Sequence, residues 1–353
     1  MAAITFSAAT QAFMQGLRLT APVVQAPMVG SQDGVLAAAV AAAGALGSLP
    51  GAALAPAALR DEAARARAGG GAVNLNFFAH DVPQPDAARE AAWRAALRPY
   101  YDELGLDQAA IPSGPGRLPF GEEAAALIES LRPEVVSFHF GLPAPALLAR
   151  VRAAGAQIWS TATTVEEARW LDARGVDAII AQGAEAGGHR GMFLTDDVAT
   201  QISTMALVPQ VVAAVRVPVI AAGGIADAKD TAAALGLGAV AVQVGSAFLL
   251  CPEATTSQVH RAALTSPAAQ HTALTNLFSG RPARGIINRL MHELGPLSAL
   301  PPAFPNAVNA LAPLRAAAEK AGSGDFSPLW VGQHAKGIQA LPAADVIRQL
   351  LSF

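Results

Sequence analysis

Gly175-Val-Asp-Ala-Ile-Ile-Ala-Gln182 and Gly236-Leu-Gly-Ala-Val-Ala-Val-Gln243 are two versions of one pattern. In each, a glycine closes an Ala-rich helical stretch, a run of small and branched apolar residues follows, and a glutamine ends the run. A run this short and continuous reads as a strand buried on both faces, as parallel sheets require. The helical stretches Val165 to Ala173 and Ala228 to Leu235 stand in front of them. The pair is therefore two successive βαβ modules, with Gln182 and Gln243 at strand C-terminal ends.

Outward from these modules the same alternation continues. Strands are predicted at Val23 to Ala26, Ala45 to Ser48, Ala72 to Asn76, Val135 to Phe138, Gln157 to Ser160, Ala178 to Ala181, Pro218 to Ala221 and Val240 to Val244. Eight such strands, most followed by a turn residue and a helical stretch, favour an α/β fold of the (β/α)8 TIM-barrel type over an open doubly wound sheet, although any single unit reads alike in both. A chain of 353 residues suits one barrel of about 250 residues with an insertion of about 100. The expected division is a barrel over 1–250, a smaller, mainly helical subdomain over the barrel mouth at 251–328, and a return to the barrel at 329–353 that ends in a closing helix. A Pro-punctuated stretch from Ala79 to Phe120, with Pro83, Pro85 and Pro99, reads as a long excursion after the third strand.

Composition excludes several classes of function. Hydrophobic residues make up 52 % and charged residues 14 %, which is incompatible with intrinsic disorder. A net charge of -3 gives no basic field for nucleic acid. The single cysteine, Cys251, forms no intramolecular disulfide and supports no multi-cysteine metal site; His80, His260, His271, His292 and His334 lack ligand spacing, so no metal is expected. A reducing, cytoplasmic location fits. The start shows no secretory pattern, and no apolar stretch reaches the length that spans a bilayer.

The chemistry concentrates in Ala181-Gln-Gly-Ala-Glu-Ala-Gly-Gly-His-Arg-Gly191, directly after the sixth strand. Gly187 and Gly188 let backbone approach a flat or phosphorylated ligand, and His189 follows in a mouth loop. Taken alone, a Gly-Gly-His is more often a solvent-facing turn. The seventh strand closes with Gly223-Gly224 and the eighth with Gln243-Val244-Gly245-Ser246, the two loops that build the phosphate site of many barrels. Backbone N–H groups at Gly223, Gly224, Gly245 and Ser246 can hold a phosphate without basic side chains. Across the mouth, Ala26-Pro27-Met28 and Asn74-Leu75-Asn76 end strands one and three. Met28, Asn74 and Gln182 can supply the apolar surface and amides that a flavin needs, although each residue type is more often structural. His139, at the end of the fourth strand, is a candidate for the substrate pocket or equally a hydrogen-bonded mouth histidine.

The ordered set QAPM, NLNFF, SFHFGLP, AQGAEAGGHRG, IAAGGI and QVGSAFL resembles the nitronate monooxygenase (2-nitropropane dioxygenase) family, in its class I form. The likeness runs from about Val23 to Ala254 and returns at Pro328-Leu-Trp-Val-Gly-Gln333. The resemblance implies an FMN-dependent oxidoreductase that oxidises alkyl nitronates, such as propionate 3-nitronate, with O2 to a carbonyl compound and nitrite. It also implies FMN contacts at Ala26, Pro27, Met28, Asn74, Gln182, Gly187, Gly188, Gly224, Gln243, Gly245 and Ser246, with Gly223 and Val244 in the same two loops, and His189 at the catalytic position. Near an anionic substrate, a protonated or hydrogen-bonding imidazole stabilises charge; with a neutral nitroalkane the same group serves as base. Ser279-Gly-Arg-Pro-Ala-Arg-Gly285 resembles the family's segment facing the flavin, which makes Arg281 or Arg284 a candidate for attracting an anion, against the plainer reading of surface arginine. Two alternatives stay open: an NAD(P)H-dependent quinone or enoyl-thioester reductase of the same superfamily, which shares the GGH block, and a non-catalytic barrel that binds a phosphorylated metabolite.

Overall fold

The computed structural model describes residues 6–112, 114, 116–335 and 337–353. The first five residues of the start read above lie outside it. Eight parallel strands form the core: β1 (Val23–Gln25), β2 (Gly47–Leu49), β3 (Val73–Phe78), β4 (Val135–His139), β5 (Gln157–Ala162), β6 (Ala178–Gln182), β7 (Val219–Ala222) and β8 (Ala241–Val244). Their order is β1-β8-β7-β6-β5-β4-β3-β2, so each strand neighbours the next in sequence. The two edges, β1 and β2, meet through a parallel bridge between Val24 and Leu46. Leu46 N–H donates to Val23 O and Gln25 N–H to Leu46 O, both at 2.9 Å, and the ring closes into the (β/α)8 barrel that the alternation predicts.

Side chains alternate across each strand. Val24, Leu46, Val135, Trp159, Ile180 and Ile220 form one apolar cluster inside the barrel together with Phe13, Met14 and Leu17 of the helix Ala8–Leu17. The Phe13 and Trp159 ring centroids are 5.6 Å apart, and this helix plugs the end of the barrel opposite the mouth. The intervening residues, such as Leu75, Ile158 and Val242, face outward and pack with helix residues such as Leu36, Leu171 and Leu207. The last helix, Ala343–Leu350, buries Val346, Ile347 and Leu350 in this outer layer.

Over the mouth the chain departs from the simple division. Helix Ala87–Glu103, from the excursion after β3, buries Trp93, Leu97 and Tyr101 in a cluster with Leu277, Leu311 and Leu314. Trp93 Nε1–H donates to Ala307 O at 3.3 Å and Tyr101 O–H to Ala310 O at 2.6 Å. The segment 251–328 is therefore not self-contained, because helix Ala307–Lys320 needs this partner to cover its apolar face. Within this mainly helical region β9 (Thr272–Thr275) and β10 (Ala283–Ile286) form an antiparallel hairpin. The hairpin takes Gly188–His189 as its third strand, with Ala283 opposite His189 and Arg284 opposite Gly188.

Candidate active site

A cavity of about 1000 Å³ opens at the C-terminal ends of the strands. Ala26, Pro27 and Met28 line it after β1; Gln182, Gly187 and Gly188 after β6; Gly223 and Gly224 after β7; Gln243, Gly245 and Ser246 around the end of β8. His139 and His189 complete the set. Two of the sequence candidates do not reach the cavity. Asn74 is fully buried deeper in the barrel, its Nδ2 donating to Ser48 Oγ at 3.0 Å. Because β3 runs on to Phe78, the residue of the same face that meets the mouth is Asn76, which lines the cavity and donates from Nδ2 to Ser137 Oγ at 2.9 Å. Val244 packs in the apolar core, and its contribution is its carbonyl, which accepts Ala26 N–H at 2.8 Å.

The loops after β7 and β8 form a nest. Gly223 and Gly224 have φ of +113° and +69°, the left-handed region that glycine enters without strain. A Cβ at Gly223 would also stand 2.9 Å from Ala186 N. Among the described residues the N–H groups of Gly224, Gly245 and Ser246 meet no acceptor within the chain. Neighbouring backbone donors with no partner of their own can hold an anion by backbone dipoles. The segment Val331–Gly332 crosses so close to Gly187 that a Cβ there would meet the Val331 carbonyl carbon at 2.5 Å. Gly332 N–H donates to Ser246 Oγ at 2.9 Å. On the far side, Gln32 Oε1 accepts Met28 N–H at 2.8 Å and fixes the turn after β1.

The loop that carries His189 is clamped at both ends. Gln182 donates from Nε2 to His189 O at 2.9 Å and accepts Gly191 N–H at 2.8 Å. Arg190 is fully buried and donates back to the carbonyls of Gly183 at 2.6 Å and Gln182 at 2.7 Å. His139 Nε2 lies 3.1 Å from His189 O and its Nδ1 3.0 Å from Thr161 Oγ1. A carbonyl only accepts, so the His139 proton sits on Nε2 and Nδ1 accepts from the Thr161 hydroxyl. The His189 ring itself bonds Ser279 Oγ, in the hairpin turn, through Nε2 at 2.7 Å. Its Nδ1 makes no hydrogen bond among the described residues.

Electrostatics favour neutral rings. Burial pushes His189 down to about 3, with His139, Arg117 and Arg281 adding to the shift. Burial likewise pushes His139 down to about 4, partly opposed by its bond to the His189 carbonyl. The His189 ring meets Phe304, Trp330 and Phe140 edge-on, at centroid distances of 5.5, 5.7 and 6.0 Å. Phe140 holds φ at +71°, a strained backbone for an aromatic residue, and Arg281 stacks over its ring at 4.5 Å. Arg281 also donates to Met192 O at 3.0 Å. Arg117 lies 5.5 Å over the Phe78 ring and lines the cavity. Neither arginine has an ion-pair partner among the described residues. Arg284 points elsewhere, donating to Ala184 O at 2.9 Å and Thr272 Oγ1 at 3.2 Å.

Sequence reasoning missed Ser279 as a partner of His189, Arg117, and the aromatic wall of Phe78, Phe304 and Trp330. Ser279 stood inside the quoted SGRPARG segment, whereas Arg117 carries no local signal. One cluster has the make-up of a metal site, Asp227, Asp230 and His334. Its carboxylates are engaged in capping helix Ala228–Gly236, and His334 Nδ1 lies 2.8 Å from Asp230 Oδ2.

A closed barrel with unpartnered backbone donors after β7 and β8, and a neutral histidine facing an aromatic-walled cavity, defines a (β/α)8 barrel with an enzyme-like site at its mouth. Comparison with known proteins agrees. The profile of the family "Nitronate monooxygenase" matches residues 11–352. A nitronate monooxygenase of Pseudomonas aeruginosa is 41 % identical over 97 % of this chain and 98 % of its own. The crystal structure of a nitroalkane oxidase from Streptomyces ansochromogenes superposes with a TM-score of 0.88 at 38 % identity, covering 97 % of each chain. FabK from Thermotoga maritima follows at a TM-score of 0.70 and 25 % identity, over 97 % of this chain and 94 % of its own. The chain belongs to the nitronate monooxygenase family, whose members are flavin-dependent oxidoreductases. The residues present fit a flavin. Among the described residues the nest supplies backbone donors without acceptors, and Gln243 Oε1, near the end of β8, is buried without a hydrogen-bond partner. Among the described residues no helix is long and apolar enough to cross a membrane.

Proposed function

We propose that the protein binds FMN and uses O2 to convert alkyl nitronates to a carbonyl compound and nitrite, with propionate 3-nitronate as one member of the substrate class. The observation that carries this reading is the placing of His189: a neutral imidazole whose Nδ1 makes no hydrogen bond among the described residues, with Arg117 lining the same cavity and Arg281 stacked on the neighbouring Phe140 ring, neither in an ion pair among those residues. The cations attract a nitronate anion. The neutral ring donates or accepts one hydrogen bond at the reacting atoms, according to its tautomer, and can take the α-proton of a neutral nitroalkane.

The nest after β7 and β8 supports one terminal phosphate, which favours FMN over a dinucleotide. When bound, the flavin supplies the electron-accepting chemistry that no side chain of the chain can provide. Gln182, Arg190 and His139 hold the backbone of His189 so that its ring keeps one orientation. Phe304, Trp330 and Phe140 surround that ring with apolar surface and strengthen electrostatic contacts there.

Anaerobic mixing tests the reading. Nitronate should bleach the flavin within the turnover time, and air should restore it with release of nitrite. Rapid bleaching by NADH with none by nitronate would replace this function with the reductase alternative.

A further inference from the structure

Besides the nest and the surroundings of His189, the cavity has a third part. It passes the rim of β3 into the layer between the barrel and two helices, Pro56–Arg67 and Glu122–Leu131. Its walls are Leu54, Leu59, Phe77, Phe120 and Leu127, all apolar. Gly51 lines it as well, and a Cβ there would stand 2.8 Å from the Phe77 ring. At its lip Leu118 is 61 % exposed, a large apolar side chain left in water beside an apolar channel.

The two ends of this arm differ in charge. At the inner end stands Arg117, which lines the cavity with its guanidinium over the Phe78 ring and is in no ion pair among the described residues; Arg281 lies farther back, stacked on the Phe140 ring. At the outer end stand the carboxylates of Glu122 and Glu123. Glu122 shares Arg150 with Glu129, so the acidic character there is only partly offset. A ligand that satisfies both ends carries its negative charge inward and presents an uncharged tail outward.

We propose that this arm binds the hydrocarbon tail of the substrate, so that the preferred ligands are linear, medium-chain monoanions with the charged head at His189 and the alkyl chain lying along Leu59, Phe77 and Leu127. The proposal rests on the nitronate reading for the identity of the head group, and on the lining of the arm for the tail. A second anionic group at the far end of a long chain is disfavoured by Glu122 and Glu123.

The test is a series of ethyl, butyl, hexyl and octyl nitronates. In the wild type kcat/KM should rise about three- to fourfold per methylene until the arm is filled, as expected for moving one CH2 out of water, with the gain mostly in KM. Leu127→Trp should flatten the series by filling the arm. Leu118→Glu, at an exposed position where folding is not at issue, should also lower the ratio of octyl to ethyl kcat/KM. A flat wild-type series, or the wild-type slope in both variants, overturns the proposal. Calorimetric titration of the holoenzyme with octanoate and acetate reads the arm without turnover. Octanoate binding at least about tenfold tighter, as a few buried methylenes require, supports the arm even if no nitronate reacts. Equal affinity overturns it even if all of them do.

Discussion

His139 holds His189 by its backbone and leaves the ring alone: the His139 Nε2–H points at the His189 carbonyl, 3.1 Å away, while the His189 ring turns to Ser279. The two histidines are thus not a proton-sharing pair of rings. One aims the chain and the other faces the cavity, which separates their expected mutational behaviour.

His189→Asn should leave flavin affinity and thermal stability nearly unchanged, because the clamps on this loop use the carbonyl of residue 189 and not its ring. The rate with nitronate should fall by roughly 10- to 10⁴-fold, the range for one positioned proton-transfer or electrostatic group. The larger loss should appear with neutral nitroalkanes, which alone need α-proton abstraction. Steady-state rates on a fully flavinylated variant check this, and wild-type turnover would remove His189 from the mechanism.

Ser279→Ala should remove the 2.7 Å bond to His189 Nε2 without emptying the cavity. One neutral hydrogen bond contributes about 0.5–1.5 kcal/mol, so kcat should drop by roughly 2- to 12-fold, with KM little changed. Ser279→Thr should restore most of it. A pH–rate profile whose limbs do not move between wild type and alanine variant would assign Ser279 to packing alone.

Gly245→Ala tests the nest more cleanly than a substitution at Gly224. The φ of +69° at Gly224 would strain any branched residue, so a Gly224→Val protein that lacks flavin could owe the loss to its backbone. Gly245 has an ordinary φ of -115°, and a Cβ there meets Ala26 Cβ at 3.4 Å, an ordinary contact. If Gly245 N–H holds the phosphate, crowding it should weaken flavin binding by roughly 10- to 100-fold, the value of one hydrogen bond to a charged group. Fluorescence titration of the apoprotein measures the constant; unaltered affinity would place the phosphate elsewhere.

The histidines also set a pH dependence of stability. His139 and His189 titrate near 4 and 3 in the folded chain, against an ordinary value of 6.5. As pH falls below about 6.5 the unfolded chain takes up these protons first, so stability falls with pH across the window down to about 3. Urea midpoints should therefore decline from pH 7 to pH 5, and His139→Asn should shallow that slope. A slope identical in the variant would show that other groups carry the acid sensitivity.

Much of this was legible because its causes are local. The echo of Gly175–Gln182 and Gly236–Gln243 marks two strands whose burial on both faces leaves no room for polar residues. Gly223, Gly224 and Gly245 announce a backbone-lined turn by having no side chain. Asn74 was chosen over Asn76 because strand ends are poorly marked: β3 continues through Phe77 and Phe78, apolar residues that belong equally to a strand or to the loop beyond it. The hairpin inside the mainly helical region was not anticipated because β9, Thr272-Ala-Leu-Thr275, has three half-buried positions and no continuous apolar run. Ser279 meets His189 across 90 residues of chain, and no periodicity reports a contact at that separation.

The hairpin's third strand has a consequence for how this region moves. Gly188–His189 belongs to the same small sheet as the roof, and Arg190 N–H is bonded to Pro282 O at 2.9 Å. Further sutures join Ser279 to His189, Arg281 to Met192 and Arg284 to Ala184. Lifting this roof would carry His189 out of position in the same movement. Roof and histidine therefore move as one piece or not at all.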